Sequence, residues 1–150
     1  MPTSFVAFAY LTAVGAGFSL VFQQAINANL RAEIGSPLWA GFVSYLGGTL
    51  TMLLVAMLLR EPLPSVQELQ RSHWISWSGG FFGAVYIGIS ILLIPRLGAA
   101  MVIALIVAGQ MLGSLAFDHF GILGLPVHSL TLTRLAGATL LVTGVVLIRW

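Results

Sequence analysis

Charged positions divide this chain into long apolar blocks instead of repeating at the short periods of a soluble amphipathic fold. No Asp, Glu, Lys or Arg occurs in residues 5–30, 38–59, 74–94, 98–117 or 135–148. A helix rising about 1.5 Å per residue needs roughly 20 apolar residues to cross about 30 Å of hydrocarbon, and the first four blocks meet that length outright. The fifth meets it when counted from Leu130 to Trp150, with Ser129 as N-cap and Arg134 extending its charge outward along its aliphatic stem. The pattern therefore predicts five crossings, over residues 5–30, 37–59, 74–94, 98–117 and 130–150, in a single unit of residues 1–150. Lipid offers the backbone no hydrogen-bond partner, so the fold class is an all-α integral membrane protein.

Local chemistry marks the ends of these blocks. Gly35-Ser36-Pro37 closes one helix and opens the next, with Ser as N-cap and Pro at the first helical position. Arg60-Glu61-Pro62-Leu63-Pro64 ends the second helix, and Ser65-Val66-Gln67-Glu68 fits a capping box that opens a short interfacial helix reaching Ser72. Pro95-Arg96-Leu97-Gly98 separates the third and fourth helices with almost no intervening chain, and residues 118–131 form the last loop. Trp39, Trp74, Trp77 and Trp150 sit at block ends, where an amphipathic indole prefers the headgroup layer.

Composition agrees with this reading. Hydrophobic residues make up 59% of the 150 and charged residues 7%, and mean hydropathy is +1.03, whereas soluble domains carry about a quarter charged residues. The first block has no basic n-region and is too long for a signal-peptide core, so it reads as a spanning helix. Six arginines against four acids are too few and too scattered for a nucleic-acid surface. The chain has no cysteine, and His73, His119 and His128 lack ligand spacing, so no metal site or cofactor is expected. No Ser/His/Asp set or pair of acids lies within one membrane depth, which argues against an enzyme.

Five crossings put alternate loops on opposite faces. Arg60, Arg71 and Arg134 then fall on the N-terminal side and Arg31, Arg96 and Arg149 on the other, three against three. Orientation follows an excess of Lys and Arg in short cytoplasmic loops, and here there is none. Two readings follow: chance balance among few charges, or insertion in both orientations to form an antiparallel homodimer of ten helices. Inverted pairs of this kind build alternating access around a midplane site.

The stretches Gln23-Gln24-Ala25-Ile26-Asn27-Ala28-Asn29-Leu30, Pro95-Arg96-Leu97-Gly98-Ala99-Ala100, Gly109-Gln110 and Asp118-His119-Phe120-Gly121, in this order and spacing, resemble the small five-helix YdcZ-like branch of the drug/metabolite transporter superfamily. The likeness covers essentially the whole chain. It implies a multi-pass protein of the bacterial inner membrane, paired antiparallel assembly, and transport of a solute the family does not define. Small multidrug exporters of that superfamily carry a first-helix glutamate that exchanges protons for cations. No residue here matches it, which argues against that antiport chemistry.

Candidate site residues follow from polar groups within the apolar blocks. Gln23, Gln24, Asn27 and Asn29 cluster in the second half of the first helix, with Gln23 about 12 Å deeper along the axis than Arg31. Such amides either clamp helices together or line a solute path. Being both donors and acceptors, they suit an uncharged or zwitterionic ligand. Gln110, Ser114 and Asp118 recur every four residues and form one polar stripe. Asp118 is the nearest carboxylate to a crossing, a candidate for proton coupling. Alternatively it pairs with Arg134, each offsetting the other's unfavourable place on a helix dipole.

The second helix repeats small residues at Gly41, Ser44, Gly48 and Thr51, and the third at Gly79, Gly80, Gly83 and Gly88, a pattern suited to close packing. Tyr86 either reaches a central cavity or is a bonded core tyrosine. Gly137 and Gly144, seven apart on the last helix, are dimer-contact candidates by the same resemblance. The sequence thus predicts a small secondary-transporter subunit, with partners limited to lipid, a second copy and a small solute. The alternative is a membrane scaffold that transports nothing.

Overall fold

In the computed structural model, which describes residues 3–148, every regular element is a helix. The order is α1 (Thr3–Ile34), α2 (Pro37–Leu58), α3 (Val66–Arg71), a 3-10 turn at Trp74–Ser78, α4 (Gly79–Leu97), α5 (Ala99–Phe120), a 3-10 turn at Ile122–Gly124, and α6 (Leu132–Ile148). Four of the described spans are long and apolar enough to cross a membrane: Ser4–Ile34, Pro37–Leu58, Trp74–Leu97 and Ala99–Phe120. α6 has 17 described helical residues, about 25 Å of helix. Arg149 and Trp150, which completed the expected fifth block and the arginine count, lie outside the described residues.

The junctions are built by side-chain caps and left-handed residues. Gly35 (φ 72°) closes α1 with its N–H on the Arg31 carbonyl, and the Ser36 side chain accepts from the Trp39 N–H to open α2. α2 ends in a Schellman arrangement, with Glu61 N–H on the Ala56 carbonyl and Arg60 N–H on that of Met57. Arg60 holds the left-handed position at φ 54°, where glycine is usual. The Ser65 capping box forms as the sequence predicts, Ser65 N–H donating to Glu68 Oε2 and Glu68 N–H to Ser65 Oγ. The Ser65 amide and hydroxyl hold the Glu68 carboxyl below the usual carboxylate range.

Three expected boundaries are corrected. Pro95 does not separate helices: α4 runs through it to Leu97, because a proline this near the C-terminus forfeits one backbone bond while Gly98, at φ 82° and ψ 153°, makes the actual break. α5 continues past residue 117, so Asp118 and His119 belong to its last turn, closed by Gly121 at φ 61°. Ser129 does not cap the last helix. His128 N–H is held by the Asp118 carbonyl and Leu130 N–H by His119 Nδ1, which keeps this backbone out of the helix, and Thr131 Oγ1 caps it instead at the Arg134 N–H.

The helices gather into two compact units, one ending at Arg96 and one beginning at Leu97. In the first, α1 and α2 run antiparallel, and α4 packs against α2 through Ala40, Ile87 and Ile91, with Leu30, Tyr45 and Tyr86 around them. Gly41 faces this contact, and a Cβ there would stand 3.5 Å from Ile87 Cγ2, an ordinary packing distance, so the approach does not depend on glycine. In the second unit, α5 and α6 pair antiparallel, burying Ala108, Leu115, Ala138 and Val145. Large apolar side chains elsewhere face outward, such as Phe18 at 65% and Leu140 at 73% exposure. That is an inside-out surface by the standards of water and an ordinary one where hydrocarbon is the solvent.

Candidate functional site

The amide cluster of α1 does not point one way. Gln24 turns inward to 1% exposure and donates from Nε2 to Tyr86 Oη on α4 at 2.6 Å. Gln23 and Asn27, one turn apart, both reach Ser44 on α2: Gln23 Nε2 donates to Ser44 Oγ at 3.3 Å and Asn27 Nδ2 to the same atom at 3.1 Å. Asn29 is exposed. Three helices are thus tied by hydrogen bonds at one level of the first unit, a direct expression of polar glue in an apolar solvent.

The tie is not complete. Gln24 Oε1 is buried and has no partner among the described residues, and an orphaned acceptor of this kind costs about 1–3 kcal/mol. Ser90, also fully buried, satisfies itself by donating to the Tyr86 carbonyl at 2.8 Å. Tyr45 brings its hydroxyl end against Gly83: a Cβ at that position would fall on the Tyr45 hydroxyl and stand 3.2 Å from its Cζ. Glycine is therefore what lets a tyrosine hydroxyl sit between α2 and α4.

Beside these bonds opens a cleft of about 570 Å³, within the usual range for small-molecule sites. Gln23, Ser44, Tyr45, Thr49 and Tyr86 supply its polar wall, and Leu20, Met52 and Ile87 its apolar one. Among the described residues no acid, base or histidine lines it. The same hydroxyls and amide that join the helices therefore also face this cleft.

Gln110 and Ser114, expected to share the site, belong to α5 of the second unit, where both are exposed; Ser114 Oγ is spent on the Met111 carbonyl of its own helix at 3.0 Å. Further along the stripe, Arg134 Nη2 meets Asp118 Oδ2 at 2.6 Å, and Arg134 Nη1 donates to the His128 carbonyl at 3.1 Å. Asp118 closes α5 and Arg134 opens α6, so the pair offsets two unfavourable helix-dipole placements and pins the loop between them. Gly137 borders a small cleft beside this pair, and Gly144 an apolar groove with Ala100 and Ala104. A Cβ at either glycine would meet open space, so packing within the chain requires neither to be glycine. Among the described residues no three His, Asp or Glu side chains converge as metal ligands.

The sequence singles out Gln23, Gln24, Asn27 and Tyr86 as candidate site residues, but it shows Ser44 only as a small packing residue and does not mark Tyr45 or Thr49. The signal available was that Ser44 and Thr51 are the hydroxyl members of the second helix's small-residue series. Of these Thr51 spends its hydroxyl on the Gly47 carbonyl, at 2.8 Å.

A family model described as "Putative inner membrane exporter, YdcZ" matches residues 8–147. The protein named inner membrane protein YdcZ of Escherichia coli (strain K12) is 31% identical over 133 residues, covering 87% of each chain. No solved structure matches. With the family model spanning nearly the whole chain and several apolar helices to agree with it, this protein is a multi-pass inner-membrane protein of the YdcZ family.

Proposed function

We propose that the chain is one subunit of a small secondary transporter that moves a small polar solute, and that the cleft between α1, α2 and α4 holds the solute. One observation carries this reading: polar side chains that link three helices also line a cleft of about 570 Å³ in an otherwise apolar unit. The exporter description of the family supports transport. With α6 as a fifth crossing, the balance of arginines supports copies inserted in both orientations and paired head to tail for alternating access. Gly137 and Gly144 leave open space on α6 that a second copy can fill.

A second reading, a scaffold that transports nothing, is favoured by the amides being committed to interhelical bonds. Reconstitution into vesicles with a panel of polar solutes separates the two. Flux above protein-free vesicles, lowered by Gln23→Ala with the fold intact, supports the transporter; absence of flux for every solute supports the scaffold. Orientation is tested separately by labelling Pro64→Cys from each side of the membrane, because the chain has no native thiol. Half-labelling from each side supports the antiparallel pair, and labelling from one side alone ends it.

A further inference from the structure

The hydrogen bonds around the cleft are one-sided. A serine hydroxyl has two acceptor lone pairs and one donor, and Ser44 Oγ accepts from both Gln23 Nε2 and Asn27 Nδ2. Its acceptor capacity is filled, so it can only donate. Other hydroxyls in the helices, at Thr51, Ser90, Ser114, Thr139 and Thr143, donate to a carbonyl of their own helix. Ser44 has no such acceptor among the described residues, and it lines the cleft. Tyr86 repeats the arrangement, accepting from Gln24 Nε2 while its own O–H has no acceptor among the described residues. Tyr45 and Thr49 add two further hydroxyls on the same wall with no hydrogen bond among the described residues, each able to donate or accept. Ser44 and Tyr86, their oxygens already accepting from α1 amides, are the members of the wall committed to donating.

We propose that the cleft selects uncharged organic solutes that present carbonyl or ether oxygens, bound by the hydroxyls of Ser44, Tyr45 and Tyr86, and that it rejects cations. The proposal rests on the cleft being the transport site. α1 supplies the polarity: its amides occupy the acceptor side of the Ser44 and Tyr86 hydroxyls and leave those two O–H groups to donate into the void. A cation would meet the positive ends of those groups with no carboxylate to neutralise it, and an anion would find no Arg or Lys among the described residues, so either charge would enter a low-dielectric site uncompensated. A neutral acceptor pairs with donors that otherwise stay unsatisfied, which is the strongest form of polar discrimination.

Two probes of matched shape test it, N-hexylpyrrolidinone, with one carbonyl acceptor, and the cation N-hexyl-N-methylpyrrolidinium, with binding measured by equilibrium dialysis against proteoliposomes. Gly48→Leu serves as the blocked control, since Gly48 lines the cleft and a Cβ there meets open space. The expected result is binding of the pyrrolidinone about tenfold or more tighter than the pyrrolidinium, and lost in Gly48→Leu. Tyr45→Phe, which disturbs no hydrogen bond of the fold, is expected to weaken the pyrrolidinone several-fold, and Ser44→Ala to do the same. Equal or tighter binding of the pyrrolidinium, abolished by Gly48→Leu, overturns the donor-lined assignment while leaving the cleft as the solute site. Failure of Gly48→Leu to alter the binding of either probe overturns the cleft reading as well.

Discussion

Replacing Gln24 by methionine separates two ways a buried amide can matter. The side chain is 1% exposed, makes one hydrogen bond, and carries one buried oxygen with no partner among the described residues. Methionine keeps the unbranched shape and removes both features. The lost bond is worth about 0.6 kcal/mol in a membrane protein and at most about 1.7. Relief of the orphaned acceptor returns about 1–3 kcal/mol. The balance favours the variant by about 1 kcal/mol. Tyr86→Phe breaks the same bond from the other side and has the opposite sign, because it strands the Gln24 amide completely and is expected to cost about 1–3 kcal/mol. In the Gln24→Met background Tyr86→Phe is expected to be nearly neutral, so the double-mutant cycle reports a coupling of that size. Unfolding from mixed micelles, followed by the fluorescence of the chain's four tryptophans, measures all four states. Destabilisation of Gln24→Met by 1 kcal/mol or more would refute the reasoning, since the orphan would then carry no real penalty.

Other outcomes follow from single contacts. Gly83→Ala is expected to push the Tyr45 hydroxyl, the free end of a side chain, out of its place, costing about 1 kcal/mol in stability, the low end of overpacking, and lowering flux in vesicles. Asp118→Asn removes the ion pair with Arg134 at a partly exposed site, for an expected loss of about 1 kcal/mol with the pH profile of transport unchanged; a flattened profile would make Asp118 a coupling group instead. The interfacial helix α3 responds to acid with a defined sign. Glu68 has a lowered folded-state pKa, so its contribution is complete above the unfolded value and is lost as pH falls through the folded one. Trp77, whose Nε1 donates to Ser72 Oγ at the end of α3, reports the fraying by its fluorescence in that acidic window, and Glu68→Gln should remove the transition.

How much of this was legible in the sequence depended on how local each cause was. The Ser36-Pro37 start of α2 and the Ser65/Glu68 capping box are set by residues within one turn, and both stand where the sequence predicts them. The Asp118–Arg134 contact was reachable from helix dipoles alone. The start of α6 was not, because it depends on His119 and the Asp118 carbonyl holding the backbone of residues 128–130 from another helix. The partners of the α1 amides were hidden for the same reason. A spacing of four puts Gln23 and Asn27 on one side of α1, but only the packing of α1 against α2 and α4 decides that both meet Ser44 and that Gln24 meets Tyr86. The stripe on α5 shows the converse, since a periodic row of polar residues left Gln110 exposed and Ser114 bonded to its own helix.

The account stands on the cleft of the first unit being a wet, solute-accessible path inside the membrane. A cysteine scan tests this directly, with no native thiol to confuse it. Thr49 lines the cleft, and Leu53, one turn away on α2 and 56% exposed, does not. In native membranes Thr49→Cys is predicted to react with a small water-soluble thiol reagent and to be slowed by transported solute, while Leu53→Cys stays inert in hydrocarbon. Equal inertness of the two would mean that lipid or packed protein fills the cleft, and the transport site would have to lie elsewhere.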